Sequence, residues 1–236
     1  MSSFSTFLII MIVLLLGFAG YYYLDEVVPL QTSYEELEQK NQELVLQLEQ
    51  LERQLEEKAK ESDKRNEQLS QLKATYDDLV VSLKEQVERG EITITRIADQ
   101  LNVKIVDRII FPSGQAELSP AGIKVLRRVG DILKKTTDRR IKVEGHTDNV
   151  PIHRKLRDKF ATNWELSVAR ATHVVRFLQD EVGINATLLE AAGMGEYRPV
   201  ASNKTRKGRL KNRRIEILLL PSPMVIQKVR KQAARK

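Results

Sequence analysis

Between Tyr34 and Leu83 a single heptad register holds in phase. With Leu37 placed at d, the a and d positions fall first at Tyr34, Leu37, Asn41, Leu44, Leu48, Leu51 and Leu55. They continue at Lys58, Ser62 and Arg65, then at Leu69, Leu72, Tyr76, Leu79 and Leu83. Glu, Gln, Lys and Arg fill most of the remaining places. An apolar repeat of 3.5 residues over so many turns is the pattern of a coiled coil. The alternative is one long helix lying against another surface. Asn41 at an a position is the kind of residue that fixes register and favours a parallel dimer. From Tyr34 to Glu88 such a helix would reach about 80 Å at 1.5 Å per residue. The seam fails only at 58–65, KAKESDKR, which reads as a flexible point.

Upstream, residues 7–24, FLIIMIVLLLGFAGYYYL, contain no charge. That length is just enough to cross a hydrocarbon core. Tyr21, Tyr22 and Tyr23 sit where an interfacial aromatic belt belongs. A cleaved signal peptide is the rival reading, with its apolar core at 7–16 and a cut after Ala19. The length of the apolar run, and the absence of Lys or Arg from the first six residues, favour an uncleaved anchor. No ionisable side chain lies inside the span, whereas proton- or ion-coupled membrane devices need one at that depth. Asp25 lies beyond the apolar run and reads as a solvated flanking charge. The sequence therefore describes an anchor followed by a stalk.

Charge divides the chain in two. Residues 1–90 carry 9 Lys and Arg against 17 Asp and Glu, a balance of −8; residues 91–236 carry 30 against 15, or +15. A basic half suits a polyanion or an anionic surface. Aromatic residues are not interleaved with the basic ones, so a nucleic-acid partner is not expected. The chain has no cysteine, which excludes disulfides, a lipoprotein-type cysteine anchor and thiolate metal sites.

Residues 91–222 are long enough for one globular domain. Strands are expected at 102–106, 141–145, 188–192 and 215–220. Helices are expected from Ser119–Pro120 to about Lys135, where Ser caps and Pro tolerates the first turn, from Asn163, with Thr162 as its cap, to about Asp180 or Glu181, and at 207–212. This order packs helices on one face of a sheet. The tail at 223–236 is basic and reads as mobile.

Within EGHTDNVP (144–151), Glu144, His146 and Asp148 alternate into a turn. A hydrolytic metal site needs three ligands and an open position; no third partner is spaced for Glu144 and His146. His153 and His173 are isolated, and HExxH and GxSxG are both missing from the sequence. GMG (193–195) lacks the GK[ST] ending of a phosphate loop. The sequence thus points to no enzyme, no cofactor and no metal. Glu144 and His146 read as strand-end residues, His146 hydrogen-bonded to neighbours. A different group is more specific. Asp148 lies on a loop, while Asn163, Ser167 and Arg170 share one stripe of the following helix, beside Leu166, Ala169 and Phe177. One carboxylate and one guanidinium make a receptor for a zwitterion, the guanidinium gripping a carboxylate through paired hydrogen bonds. Spacing alone leaves open whether Asp148 and Arg170 do this or pair with each other.

Three stretches together resemble the OmpA-like peptidoglycan-binding family, in particular its MotB-type branch. They are FPSGQAEL (111–118), VEGHTDNVPI (143–152) with NWELSVARA (163–171), and GRLKNRRIEI (208–217). The resemblance spans roughly residues 100–220, with the motifs in the family's order. It implies an α+β fold, a mixed sheet with helices packed on it, preceded here by the transmembrane helix and the long coiled-coil helix. The implied ligand is the diaminopimelate of the peptidoglycan stem peptide. Asp148, Arg170, Asn163 and Thr147 match the family's binding positions, which favours the clamp; NRR (212–214) is read as structural.

The expected organisation is an anchor at 1–26, a stalk at 27–90, the OmpA-like domain at 91–222 and the tail at 223–236. The chain would sit in a bacterial inner membrane as a parallel homodimer, its domain in the periplasm bound to peptidoglycan. The alternative is a MotB-like stator or transport component with a multi-span membrane partner. Two departures bear on these expectations. Many relatives carry an acidic or amide residue where this chain has Pro112, Ser113 and Gly114, although FPSG-type loops are usual in the MotB-type branch. The stator members of that branch carry an aspartate inside the span, which is missing here.

Overall fold

The computed structural model describes residues 3–136 and 139–221, so the basic tail at 223–236 lies outside the described residues. The chain forms two compact units, 1–65 and 66–236.

The first unit is helical. α1 (Ser3–Tyr22) passes through a π-helical turn (Tyr23–Val27) into α2 (Val28–Ser82). It is long and apolar enough to cross a membrane. The polar stretch 58–65 is helical throughout. In the single chain the a and d leucines Leu37, Leu44, Leu48, Leu51 and Leu55 are each more than half exposed.

The second unit begins inside α2. Here the heptad seam meets its own domain: Leu72, Leu79 and Leu83 are at most 1 % exposed and join the same core as Ile105, Leu126, Ile141 and Leu178. The stalk expected at 27–90 therefore ends earlier, and the last heptads belong to the globular unit. After the short α3 (Lys84–Glu88) come β1 (Ile92–Ile97) and β2 (Gln100–Val106), a hairpin closed by Ala98 and Asp99. β1 is an additional edge strand; the sequence reading began the sheet at Asn102. Next are α4 (Asp107–Ile110), α5 (Pro120–Leu133), β3 (Arg139–His146), α6 (Asn163–Asp180), β4 (Leu189–Gly193), α7 (Arg206–Asn212) and β5 (Arg214–Pro221). Ser119 caps α5 by accepting from Gly122 N, and Thr162 caps α6 in a reciprocal box with Glu165, so both starts fall where the cap chemistry places them.

The sheet order is β1-β2-β5-β3-β4, antiparallel throughout except for parallel β3–β4. Alternation gives it one apolar face. Leu101, Leu219, Ile141 and Leu189 form one row across it, and Val103, Ile217 and Val143 the next. In the third row Ile105 and Ile215 are followed by Gly145 and Gly193. These two glycines admit α6. A Cβ on Gly145 would overlap the Ser167 carbonyl oxygen, and one on Gly193 would lie 2.6 Å from Ser167 Oγ. The paired glycines thus let the first turns of α6 sit directly on the sheet, where Arg170 is needed. On α6, Val174, Phe177 and Leu178 are buried alongside Leu166, whereas Ala169, expected on the buried side, is only half-buried.

Candidate ligand-binding site

The register builds the site. His146, the last residue of β3, pairs with Arg214, the first of β5, which in turn pairs with Val106, the last of β2. Residues just outside these three ends must converge: Asp107 after β2, Thr147 and Asp148 after β3, and Arg213 before β5. The Asp107 N–H donates to the Arg213 carbonyl at 3.1 Å and locks the junction.

Asp148 is 4 % exposed. Its Oδ2 accepts from Arg213 Nη1, and its Oδ1 accepts from Val150 N at 3.1 Å, which closes a tight turn. Arg170 is 3 % exposed. Its Nη1 lies 3.0 Å from Asp107 Oδ1, its Nε donates to the Gln115 carbonyl at 3.0 Å, and its guanidinium lies 5.0 Å from the centre of the Phe111 ring. Burying this cation is tolerable because a carboxylate, a carbonyl and an aromatic face surround it. Asp107 Oδ1, although close to Nη1, is off the axis of any N–H and has no hydrogen bond among the described residues.

Asp148 and Arg170 therefore do not pair with each other. Each has a different counter-ion, and the four charges interact as a group. Burial pushes the Asp107 carboxyl above its usual range, Arg170 and Arg213 oppose that, and Asp148 adds to it. Burial likewise lowers the Arg170 guanidinium, with Asp107 opposing. Two carboxylates and two guanidiniums in one place can receive an ammonium and a carboxylate together. Arg213 is the accessible member, with a side chain 36 % exposed.

The other two expected residues flank this group. The Asn163 amide donates to the carbonyls of Asp148 at 3.2 Å and Val150 at 3.1 Å, and to Glu196 Oε2 at 2.8 Å. It braces the loop that carries Asp148. Thr147 is 3 % exposed; its N–H donates to the Gly195 carbonyl at 2.9 Å, and its buried hydroxyl has no partner among the described residues. A cleft of 330 Å³ opens beside Asn163, walled by Ile152, Arg157, Glu196 and the stacked rings of Trp164 and Tyr197, 5.2 Å apart.

Glu144 and His146 lie outside the cluster. The His146 ring, 3.5 Å from Glu144, holds the Glu144 carboxyl at about 2, aided by Lys142 at 2.8 Å. The expected hydrogen bonds from His146 are not formed: neither ring nitrogen has hydrogen-bond geometry to a described residue. No group of three or more His, Cys, Asp or Glu among the described residues could hold a metal.

Sequence reasoning missed Asp107, Arg213 and Phe111. In NRR, Asn212 is structural, bonding Val200 N and Ala201 N at 2.9 Å, and so is Arg214, bonding Glu216 at 2.6 Å. Arg213 between them turns to Asp148. Phe111 and Gln115 show what the FPSG loop does: it seats Arg170.

Residues 110–213 match the family model of OmpA. This chain belongs to the OmpA family. It is 36 % identical over 157 residues to Motility protein B of Bacillus subtilis, covering 63 % of this chain and 59 % of that protein. It is 37 % identical over 111 residues to Peptidoglycan-binding protein ArfA of Mycobacterium bovis, covering 47 % and 32 %. Among solved structures, the cell wall anchor of the T6SS from Pseudomonas aeruginosa is 30 % identical with a TM-score of 0.55, covering 61 % of this chain and 97 % of that one. The chain thus spans less than two thirds of the curated relatives' length. The mixed sheet with its flanking helices agrees with that family, and the long N-terminal helix precedes the matched residues, both as expected from the sequence.

Proposed function

We propose that this chain is a membrane-anchored, non-enzymatic envelope protein that binds peptidoglycan non-covalently through the diaminopimelate of the stem peptide. The observation that carries this reading is the alternating set Asp107, Arg170, Asp148 and Arg213 at the ends of the adjacent strands β2, β3 and β5. The ammonium of the ligand's amino-acid end meets Asp148, its carboxylate meets Arg170 and Arg213, and Asn163 and Thr147 hold the loop that carries Asp148. The relatives support the ligand class: one is called peptidoglycan-binding and another a cell wall anchor.

The uncharged helix at the N-terminus supports anchoring in the inner membrane, with the domain in the periplasm. The exposed leucine seam from Leu37 to Leu55 supports a parallel homodimer. Similarity to Motility protein B favours a second reading, a component working with a multi-span membrane partner. In that case the partner supplies the ion-binding group, since residues 7–24 have none.

The test is co-sedimentation of the detergent-solubilised full chain with purified sacculi. Wild type sediments with them; Asp148→Asn and Arg213→Gln, folded by circular dichroism, remain in the supernatant. Sedimentation of both variants like wild type would sink the assignment.

A further inference from the structure

A second polar cleft lies in the same unit and shares no wall residue with the clamp. It has a volume of 580 Å³ and is walled by Arg89, Arg108, Lys124, Arg128, Glu91 and Gln86, among others. The cations come from three places in the chain. Arg89 follows α3, Arg108 lies in α4, and Lys124 and Arg128 stand one turn apart on α5. Among the described residues that wall the cleft, the one carboxylate is Glu91, at 3.3 Å from Arg89. Arg108, Lys124 and Arg128 have no ion pair among the described residues. Four cations against one carboxylate leave the wall with an excess of three positive charges, a repulsive arrangement that an anion would relieve.

A further feature points the same way. The first turn of the 14-residue α5 contributes Ala121, with its cap Ser119, so the positive end of that helix dipole adds to the cleft.

We propose that this cleft binds a phosphate-bearing anion, with Arg108, Lys124 and Arg128 as its contacts. Guanidinium forks and a helix start suit tetrahedral phosphate oxygens. The volume exceeds what one phosphate group fills, so the ligand is a phosphodiester with neighbouring groups: a short stretch of a phosphodiester polymer or an anionic lipid headgroup. The proposal is independent of the peptidoglycan reading.

The experiment uses the full chain in phosphatidylcholine nanodiscs, titrated by calorimetry with a soluble glycerol phosphate oligomer. A second arm compares hydrogen exchange at 84–91 and 119–128 in nanodiscs with and without phosphatidylglycerol. Heat from the oligomer assigns the polymer. Protection that appears only with phosphatidylglycerol, without heat from the oligomer, assigns the headgroup. In either arm, raising the salt from low to physiological weakens binding by about ten-fold or more. Arg108→Gln/Lys124→Gln/Arg128→Gln loses binding by a similar factor while still sedimenting with sacculi, and Arg108→Lys/Arg128→Lys retains most of it. No response in both arms, undiminished binding by the Gln variant, or equal affinity for polyglutamate would overturn the proposal.

Discussion

Asp148 is ion-paired to Arg213, sixty-five residues further along the chain and immediately before β5. The pairing follows from the antiparallel register of β3 with β5, which sets the residues after His146 beside those before Arg214. It leaves Arg170 to Asp107, and the clamp becomes a set of two ion pairs that a zwitterion can share. The two guanidiniums differ in exposure, so their removal has different consequences.

Arg213 is partly solvated, so its loss affects binding more than folding. Arg213→Gln weakens sacculus binding by at least about ten-fold, the loss expected when a buried carboxylate keeps no cation. It lowers the melting temperature less than Arg170→Ala does, as measured by circular dichroism, because Asp148 keeps the Val150 N–H. A large drop in melting temperature would mean that Arg213 is mainly structural.

Arg170 is buried, and its replacement strands Asp107. Arg170→Ala destabilises the domain by about 3–5 kcal/mol in urea unfolding, the cost of breaking a buried pair from one side. Asp107→Asn/Arg170→Gln, which removes both charges, recovers part of that stability without recovering binding. Equal destabilisation by the single and double variants would refute the pairing.

The leucine seam has two roles along one helix. Leu79→Ala, in the domain core, costs about 2–5 kcal/mol of domain stability. Leu48→Ala leaves domain unfolding unchanged and lowers self-association, read by analytical ultracentrifugation in detergent. The reverse pattern would contradict the division of the helix at Arg65 and Asn66.

Glu144 gives a pH signature. Its carboxyl is held at about 2 against an ordinary 4.5. A lowered carboxylate stabilises the fold above the unfolded value and loses that contribution as pH falls from 4.5 towards 2. Asp107, whose carboxyl is raised, has the opposite sign: its ionised form costs stability, and the cost is relieved as pH falls. The stability difference between wild type and Glu144→Gln, followed by urea unfolding, therefore shrinks across the acid range. A constant difference would exclude ionised Glu144 as a source of stability.

Local chemistry made much of this fold legible. Ser119 and Thr162 announced their helices because a cap side chain must satisfy orphan N–H groups wherever the helix packs. Asn163, Ser167 and Arg170 could be placed on one stripe because helical spacing is local. Asp107 and Arg213 were not legible in the same way. Their roles depend on β2, β5 and β3 lying side by side, and nothing near VDRII or NRR records that order. The heptads misled for a related reason. Leu72, Leu79 and Leu83 carry the same period as Leu44 and Leu48, yet they bury against the chain's own core instead of a partner helix. Periodicity reports which face is apolar, and the topology decides what covers it.

The central claim is that the charge cluster recognises the amino-acid end of diaminopimelate. Its most direct test is competition: the full chain is bound to sacculi, and free meso-diaminopimelate or 1,5-diaminopentane, which has the ammonium groups but no carboxylate, is added. The account predicts release by meso-diaminopimelate, little release by the diamine, and no sacculus binding by Asp148→Asn from the start. Equal release by both compounds, or none by either, would contradict it.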